Sequence, residues 1–214
     1  MKRVIIIDYK VGNLFSVKQA CDSVGIKSKI SSDLKEINSA DGLILPGVGA
    51  FNEAMKNLND LGISSVLKKR VGDKIPLFGV CLGLQLLFTE SEEFGTGLGL
   101  DFIPGTIKKF PNSFKGNKMK VPHVAWNTIS RKNIEWEKTP FSNLTNDQYM
   151  YFVHSFYVDP SENSCVLSET NYNGKFFCSS LLVNNIFATQ FHPEKSGEKG
   201  LKIYKNWAKI NNLI

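Results

Sequence analysis

The sequence contains no apolar run long enough to cross a bilayer. Its first hydrophobic stretch, Val4–Ile7, follows Met1-Lys2-Arg3 and ends at Asp8. That is too short for a membrane span and for the core of a signal peptide. It reads as a buried first strand, and a cytoplasmic protein with no membrane partner is the expectation. Cysteine is sparse and dispersed: Cys21, Cys81, Cys165 and Cys178 form no CxxC pair and have no closely spaced histidine. This excludes the common zinc and dithiol redox spacings, so no metal and no cofactor is expected, and the thiols are expected to be free in a reducing compartment. There is no internal repeat, low-complexity tract or linker, so the 214 residues read as one domain, 1–214.

Apolar residues make up 42% and charged residues 21%, which suits a folded chain rather than a disordered one. The net charge of +6 raises the question of anionic partners. The basic residues are scattered, thickening only at Lys108, Lys109, Lys115, Lys118 and Lys120. A solvated face accounts for them, with a partner's surface or phosphorylated substrate as the alternative; no nucleic acid is expected.

The first third alternates short apolar runs with amphipathic stretches. Strands are predicted over 4–7, 26–30, 42–45 and 75–80, with helices over 13–24, 52–59 and 64–70 between them. Such repetition implies parallel pairing with crossover helices on the sheet faces. Beyond Gly95 the runs become short, β-branched and aromatic, as at 107–110, 149–153, 165–170, 176–182 and 186–190. Asn173-Gly174 and Asn184-Asn185 fall between runs, where hairpin turns are expected. Helical spacing returns over 200–210. The reading is an α/β fold with a central, mostly parallel sheet and an antiparallel β insertion.

The segment Gly79-Val80-Cys81-Leu82-Gly83 carries the strongest chemical signal. A buried strand runs into a glycine-flanked turn, and a helix is predicted over 84–88. This is the nucleophile-elbow pattern with cysteine in place of serine. At a helix N-terminus free N–H groups favour a thiolate, and the Leu82 amide would face an oxyanion. A buried cysteine at a strand end is the competing reading. A thiolate needs a proton-handling partner, and the chain has three histidines. His192 lies in Phe191-His192-Pro193-Glu194, at a strand end with a carboxylate two residues on. It reads as a base that Glu194 can orient, with a surface His-Pro-Glu turn as the competing reading. His123 and His154 lack a carboxylate nearby in sequence and are expected to be structural or to touch substrate. A second glycine-rich turn, Leu45-Pro46-Gly47-Val48-Gly49-Ala50-Phe51, lacks the lysine of a P-loop. Amides of Val48 or Gly49 would suit the second oxyanion donor, with a simple helix-entry turn as the competing reading.

Together the elbow and the late His-Pro-Glu resemble the class I, triad-type glutamine amidotransferases, over nearly the whole chain. Asp8-Tyr9 with Gly12-Asn13, Pro122-His123 with Trp126-Asn127, Tyr151 through Ser155, and Ala188-Thr189-Gln190 through Ser196 narrow the resemblance. They are similar to the glutaminase subunit of imidazole glycerol phosphate synthase. The resemblance implies a flavodoxin-like three-layer sandwich, with Cys81 as nucleophile, His192 as base and Glu194 as its orienter. It implies that Gly47, Gly49, Gln85 and the backbone of His154, Ser155 and Phe156 contact L-glutamine. It further implies that Asn13, Trp126 and Lys195 face a (β/α)₈-barrel synthase subunit in a heterodimer, which receives the ammonia in trans. The chain departs from that family at Lys10 and Ala125, where glycine is usual. A paralogue feeding ammonia to a surface sugar is therefore a second reading. A partner-independent γ-glutamyl hydrolase and a catalytically silent binding subunit are readings of other classes.

Overall fold

The computed structural model describes residues 2–214. The first half contains β1 (Val4–Ile7), α1 (Leu14–Ser23), β2 (Ser28–Ser31), α2 (Leu34–Asn38), β3 (Gly42–Gly47), α3 (Phe51–Asp60) and α4 (Ile63–Gly72). Next come β4 (Leu77–Cys81), α5 (Leu82–Leu86), β5 (Phe88–Ser91), β6 (Gly97–Leu98), β7 (Ile103–Lys109), β8 (Ser113–Phe114) and β9 (Asn117–Lys118). The last part is largely strand: β10 (His123–Arg131), β11 (Gln148–His154), β12 (Phe156–Pro160), β13 (Val166–Tyr172), β14 (Lys175–Val183) and β15 (Ile186–Thr189). Helix α6 (Gly197–Ile210) closes the chain.

Strands β2-β1-β3-β4-β15 lie side by side and are all parallel, as the alternating pattern of the first third requires. Alternate residues of these strands supply separate cores. Ile5, Ile7, Leu43 and Leu45 pack under α2, α3 and α4, while Val4, Ile6, Ile44 and Phe78 pack under α1 and α6. With near-complete burial on both sides, strand sequences become continuous apolar runs. The result is three layers, helix on sheet on helix.

The antiparallel part is no separate layer. β14 pairs antiparallel with β15, β12 with β14, and β7 with β12, so the same sheet continues outward. Strands β13, β10 and β11 branch from β14, through β13. This continuity brings the end of β11 and the start of β12 beside the C-terminal edge of β4.

The helix predicted over 84–88 is the main local difference. It begins two residues earlier and ends at Leu86, after which Phe88 opens β5. Backbone from the next turn claims the carbonyls: Leu100 N–H donates to Leu86 O, and Phe102 and Ile103 N–H donate to Leu87 O. Tertiary hydrogen bonds thus end a pattern that local periodicity would continue. Strand β10 escaped the sequence reading because it buries His123 and exposes Val124 and Trp126, and β12 because it is only five residues long and ends at Pro160.

Close approach of α5 to β3 depends on Gly83. A Cβ there would lie 1.7 Å from the Leu45 carbonyl oxygen. Gly83→Ala should therefore lower unfolding free energy by about 3 kcal/mol or more, as overpacking against backbone does. Gly72→Ala is the control, because a Cβ at that helix position meets nothing within 4 Å. It should raise stability by about 0.5 kcal/mol. Urea denaturation followed by circular dichroism reads both.

Candidate active site

Cys81 is the last residue of β4 and the cap of α5, with φ 55° and ψ −106°. A non-glycine residue holds that region only where its surroundings impose it. On one side β3 pairs in register, Gly47 opposite Cys81, and on the other lies β15. The cysteine thus stands at the C-terminal edge of the parallel strands, where open α/β sheets form their sites. Helix α5 has five residues. What it offers the sulfur is the free N–H groups of its first turn.

His192 comes to the same place from the end of β15. Its backbone is tied to β11: His192 N–H donates to Tyr151 O at 2.9 Å, and Ser196 Oγ accepts from Tyr151 N–H at 3.0 Å. The same Ser196 hydroxyl donates to His192 O at 2.7 Å. Pro193 opens the tight turn that folds Glu194 back, so that His192 Nδ1–H donates to Glu194 Oε1 at 2.7 Å. Both side chains are almost inaccessible, 4% and 2% exposed. The other ring nitrogen, Nε2, is buried and makes no hydrogen bond among the described residues. Burial opposes charge on this ring, but the Cys81 sulfur and the Glu194 carboxylate outweigh it and raise the pKa to about 10. The ring is thereby held protonated at neutral pH, facing the cysteine.

A cavity of about 630 Å³ opens above the sulfur. Val48, Gly49, Cys81, Leu82, Gln85, His154, Ser155 and Phe156 all line it. Gly47 lies just behind, and a Cβ there would strike the Tyr9 hydroxyl at 2.2 Å. That hydroxyl donates to Pro46 O at 2.6 Å, bracing the turn that carries Val48 and Gly49. Asn13, Trp126 and Lys195 lie outside the cavity and are exposed. Asn13 caps α1 by accepting from Ser16 N–H at 3.3 Å. Trp126 is 54% exposed on the outer face of β10, beside Val124 at 53%. Lys10 adopts φ 70°, in the region that favours glycine. An Asp8 carboxylate accepting its N–H at 3.0 Å steadies that turn.

Several site residues were not legible in the sequence. Gln190 is fully buried and directs its Nε2 at the Cys81 sulfur, 3.7 Å away. Glu93 seals one cavity wall and accepts the first N–H of α3, from Phe51, at 2.8 Å. Glu92 and Lys109 place charges of both signs at the cavity. Each is a common polar residue at an unremarkable spacing, and only folding brings them together. His123 and His154 meet each other, Nδ1 to Nε2 at 3.1 Å, inside an aromatic cage of Phe110, Phe152, Tyr172 and Phe177. Burial lowers the pKa of His123 to about 4 and of His154 to about 3, so both are neutral. Among the described residues no cluster could hold a metal ion, and no helix is long and apolar enough to cross a membrane.

The chain is similar to proteins of known name and structure. Imidazole glycerol phosphate synthase subunit HisH of Syntrophotalea carbinolica is 44% identical, covering 95% of this chain and 98% of that protein. The subunit of the same name from Aquifex aeolicus is 42% identical over 96% and 95%. Among solved structures, PurLQS of Thermotoga maritima superposes with a TM-score of 0.71 at 17% identity, over 97% of this chain and 98% of that one. The glutaminase domain of Trypanosoma brucei CTPS, with bound acivicin, gives 0.69 at 16% identity, over 99% and 94%. These two share the fold. The sequence profile of the glutamine amidotransferase class-I family matches residues 5–210. A cysteine elbow, a facing imidazole and a matching profile lead to one conclusion: the chain belongs to the class-I glutamine amidotransferase family.

Proposed function

We propose that the chain hydrolyses L-glutamine to glutamate and ammonia at Cys81 and passes the ammonia to a separate synthase subunit. The observation that carries this reading is the protonated His192, held by Glu194 at 2.7 Å and turned toward Cys81. In the first step the Cys81 thiolate attacks the side-chain amide carbon of glutamine. The resulting oxyanion takes hydrogen bonds from the amides of Leu82 and of Val48 or Gly49. His192 gives its Nε2 proton to the departing amine, which leaves as ammonia, and a glutamyl thioester remains. The now neutral ring accepts a proton from water, the hydroxide attacks the thioester, and the thiolate departs from glutamate. Glu194 keeps the proton of Nδ1 in place throughout, which fixes the tautomer.

The cavity supports an amino-acid substrate. Its volume falls in the range of small-molecule sites, ~300–1,000 Å³. Glu92 and Glu93 suit an α-ammonium, and Lys109 suits an α-carboxylate. The relatives named above are subunits of imidazole glycerol phosphate synthase. Their identity supports assigning the ammonia to that reaction, in the cytoplasm, with a (β/α)₈-barrel subunit as partner and residues 1–214 acting as one unit. The outer face of β10 and β11 exposes Val124, Trp126, Tyr149 and Val153, an apolar patch beside the cavity. Such patches mark association surfaces, and we assign the exposed Asn13 and Lys195 to the same interface.

Cys81→Ala should reduce partner-stimulated glutaminase on the order of 10⁴-fold while the partner still binds. Glutamine turnover near the wild-type rate would remove Cys81 from its role. NMR titration of the imidazoles separates the three histidines. His192 should keep its proton until about pH 10. Loss of the sulfur charge in Cys81→Ala should move that titration toward acid. Trp126→Asp should weaken partner binding by about tenfold or more, as loss of an aromatic anchor does. Isothermal calorimetry with the barrel subunit measures it, and unchanged affinity would place the interface elsewhere.

A further inference from the structure

The two neutral histidines and two glutamines form one continuous hydrogen-bond chain, and every proton in it is fixed. A carbonyl can only accept, so His154 Nδ1–H donates to Phe156 O at 2.7 Å. Because the ring is neutral, its Nε2 is a lone pair, and it accepts from His123 Nδ1–H at 3.1 Å. His123 Nε2 then accepts from Asn127 Nδ2 at 3.3 Å. The other proton of that amide is donated to Asn171 O at 3.0 Å, and its oxygen accepts Thr128 N–H at 2.8 Å. On the far side Phe156 O also accepts from Gln85 Nε2 at 3.1 Å. The same Gln85 nitrogen donates to Gln190 Oε1 at 3.2 Å, which leaves Gln190 Nε2 to donate to the Cys81 sulfur at 3.7 Å. Reversing any one amide or tautomer would oppose donor to donor or leave a buried group unpaired.

We infer that Asn127, His123, His154, Gln85 and Gln190 are a relay that positions an N–H donor on the Cys81 sulfur from the inner face of β10. Gln190 touches the reacting atom; the other four are positioning residues that act through it. The relay explains why two histidines sit neutral in an aromatic cage without serving as bases. It rests on Cys81 being the reacting group.

Alkylation of Cys81 by iodoacetamide, followed by peptide mass spectrometry from pH 5 to pH 10, reads thiolate formation without glutamine or partner. Cys21, Cys165 and Cys178 are buried, and burial pushes their thiols up. The charged groups facing the sulfur are His192 and, at the cavity, Glu92, Glu93 and Lys109, with the Tyr9 hydroxyl below; all are retained in every variant. Gln190→Met keeps the volume and removes the donor, and should move the profile up by about one pH unit. His123→Phe keeps the stacking but breaks the relay, and should move it in the same direction by less. His123→Asn restores a donor at the Nδ1 position while losing ring packing, so it should return the wild-type profile at a lower melting temperature. A purely structural role for His123 predicts the opposite order. The relay is overturned if His123→Phe follows the wild-type curve, or if His123→Asn shifts as far as His123→Phe. Failure of wild-type Cys81 to react at all overturns both the relay and the catalytic role beneath it.

Discussion

Cys81 occupies a left-handed backbone angle at the junction of a buried strand and a one-turn helix. An L-residue is held there by what presses on it from outside. Gly83 lets the helix lie directly on the Leu45 carbonyl, and Gly47 leaves room for the Tyr9 hydroxyl beneath the neighbouring strand. With the backbone fixed, the Cα–Cβ bond of Cys81 points one way, and the polar groups around the sulfur can be arranged in advance. Preorganised dipoles of this kind cost no rearrangement during reaction. Strain at one residue is thus the condition on which the cavity, the imidazole and the amide network all rest.

The electrostatics divide the three histidines by environment rather than by type. All three are buried. His192 has a carboxylate on one nitrogen and a sulfur before the other, and it holds its proton far above the usual range. His123 and His154 have each other and aromatic rings, and they remain uncharged even in mild acid. Neighbouring charge therefore decides which imidazole can donate a proton and which can only pass a hydrogen bond along.

Most of the parallel half of the fold was legible in the sequence, because each buried strand is a continuous apolar run and the longer helices are amphipathic; the five-residue α2, Leu34–Asn38, is too short to show a period and was missed. Cys81, His192 and Glu194 were legible because two short local motifs carry them. Strand β10 was not, since His123, Ala125 and Asn127 on one face alternate with Val124 and Trp126 on the other, and neither set is uniformly polar. The length of α5 was missed for a different reason: backbone donors from residues 100–103, fourteen or more positions on, end it. Gln190 was invisible as a site residue because its meaning depends on Gln85 and Phe156, which only the finished sheet brings near. Local chemistry is written locally; a hydrogen-bond network is not.

The alternation along β10 has an evolutionary consequence. Val124 and Trp126 point outward and His123 and Asn127 point inward, so adjacent positions of one strand answer to separate selection. The outward pair can drift with whatever surface it meets, because changing it leaves every buried proton where it was. The inward pair can change only together with the amides and rings it contacts. The outer surface of this strand can thus be altered without disturbing the hydrogen bonds beneath it.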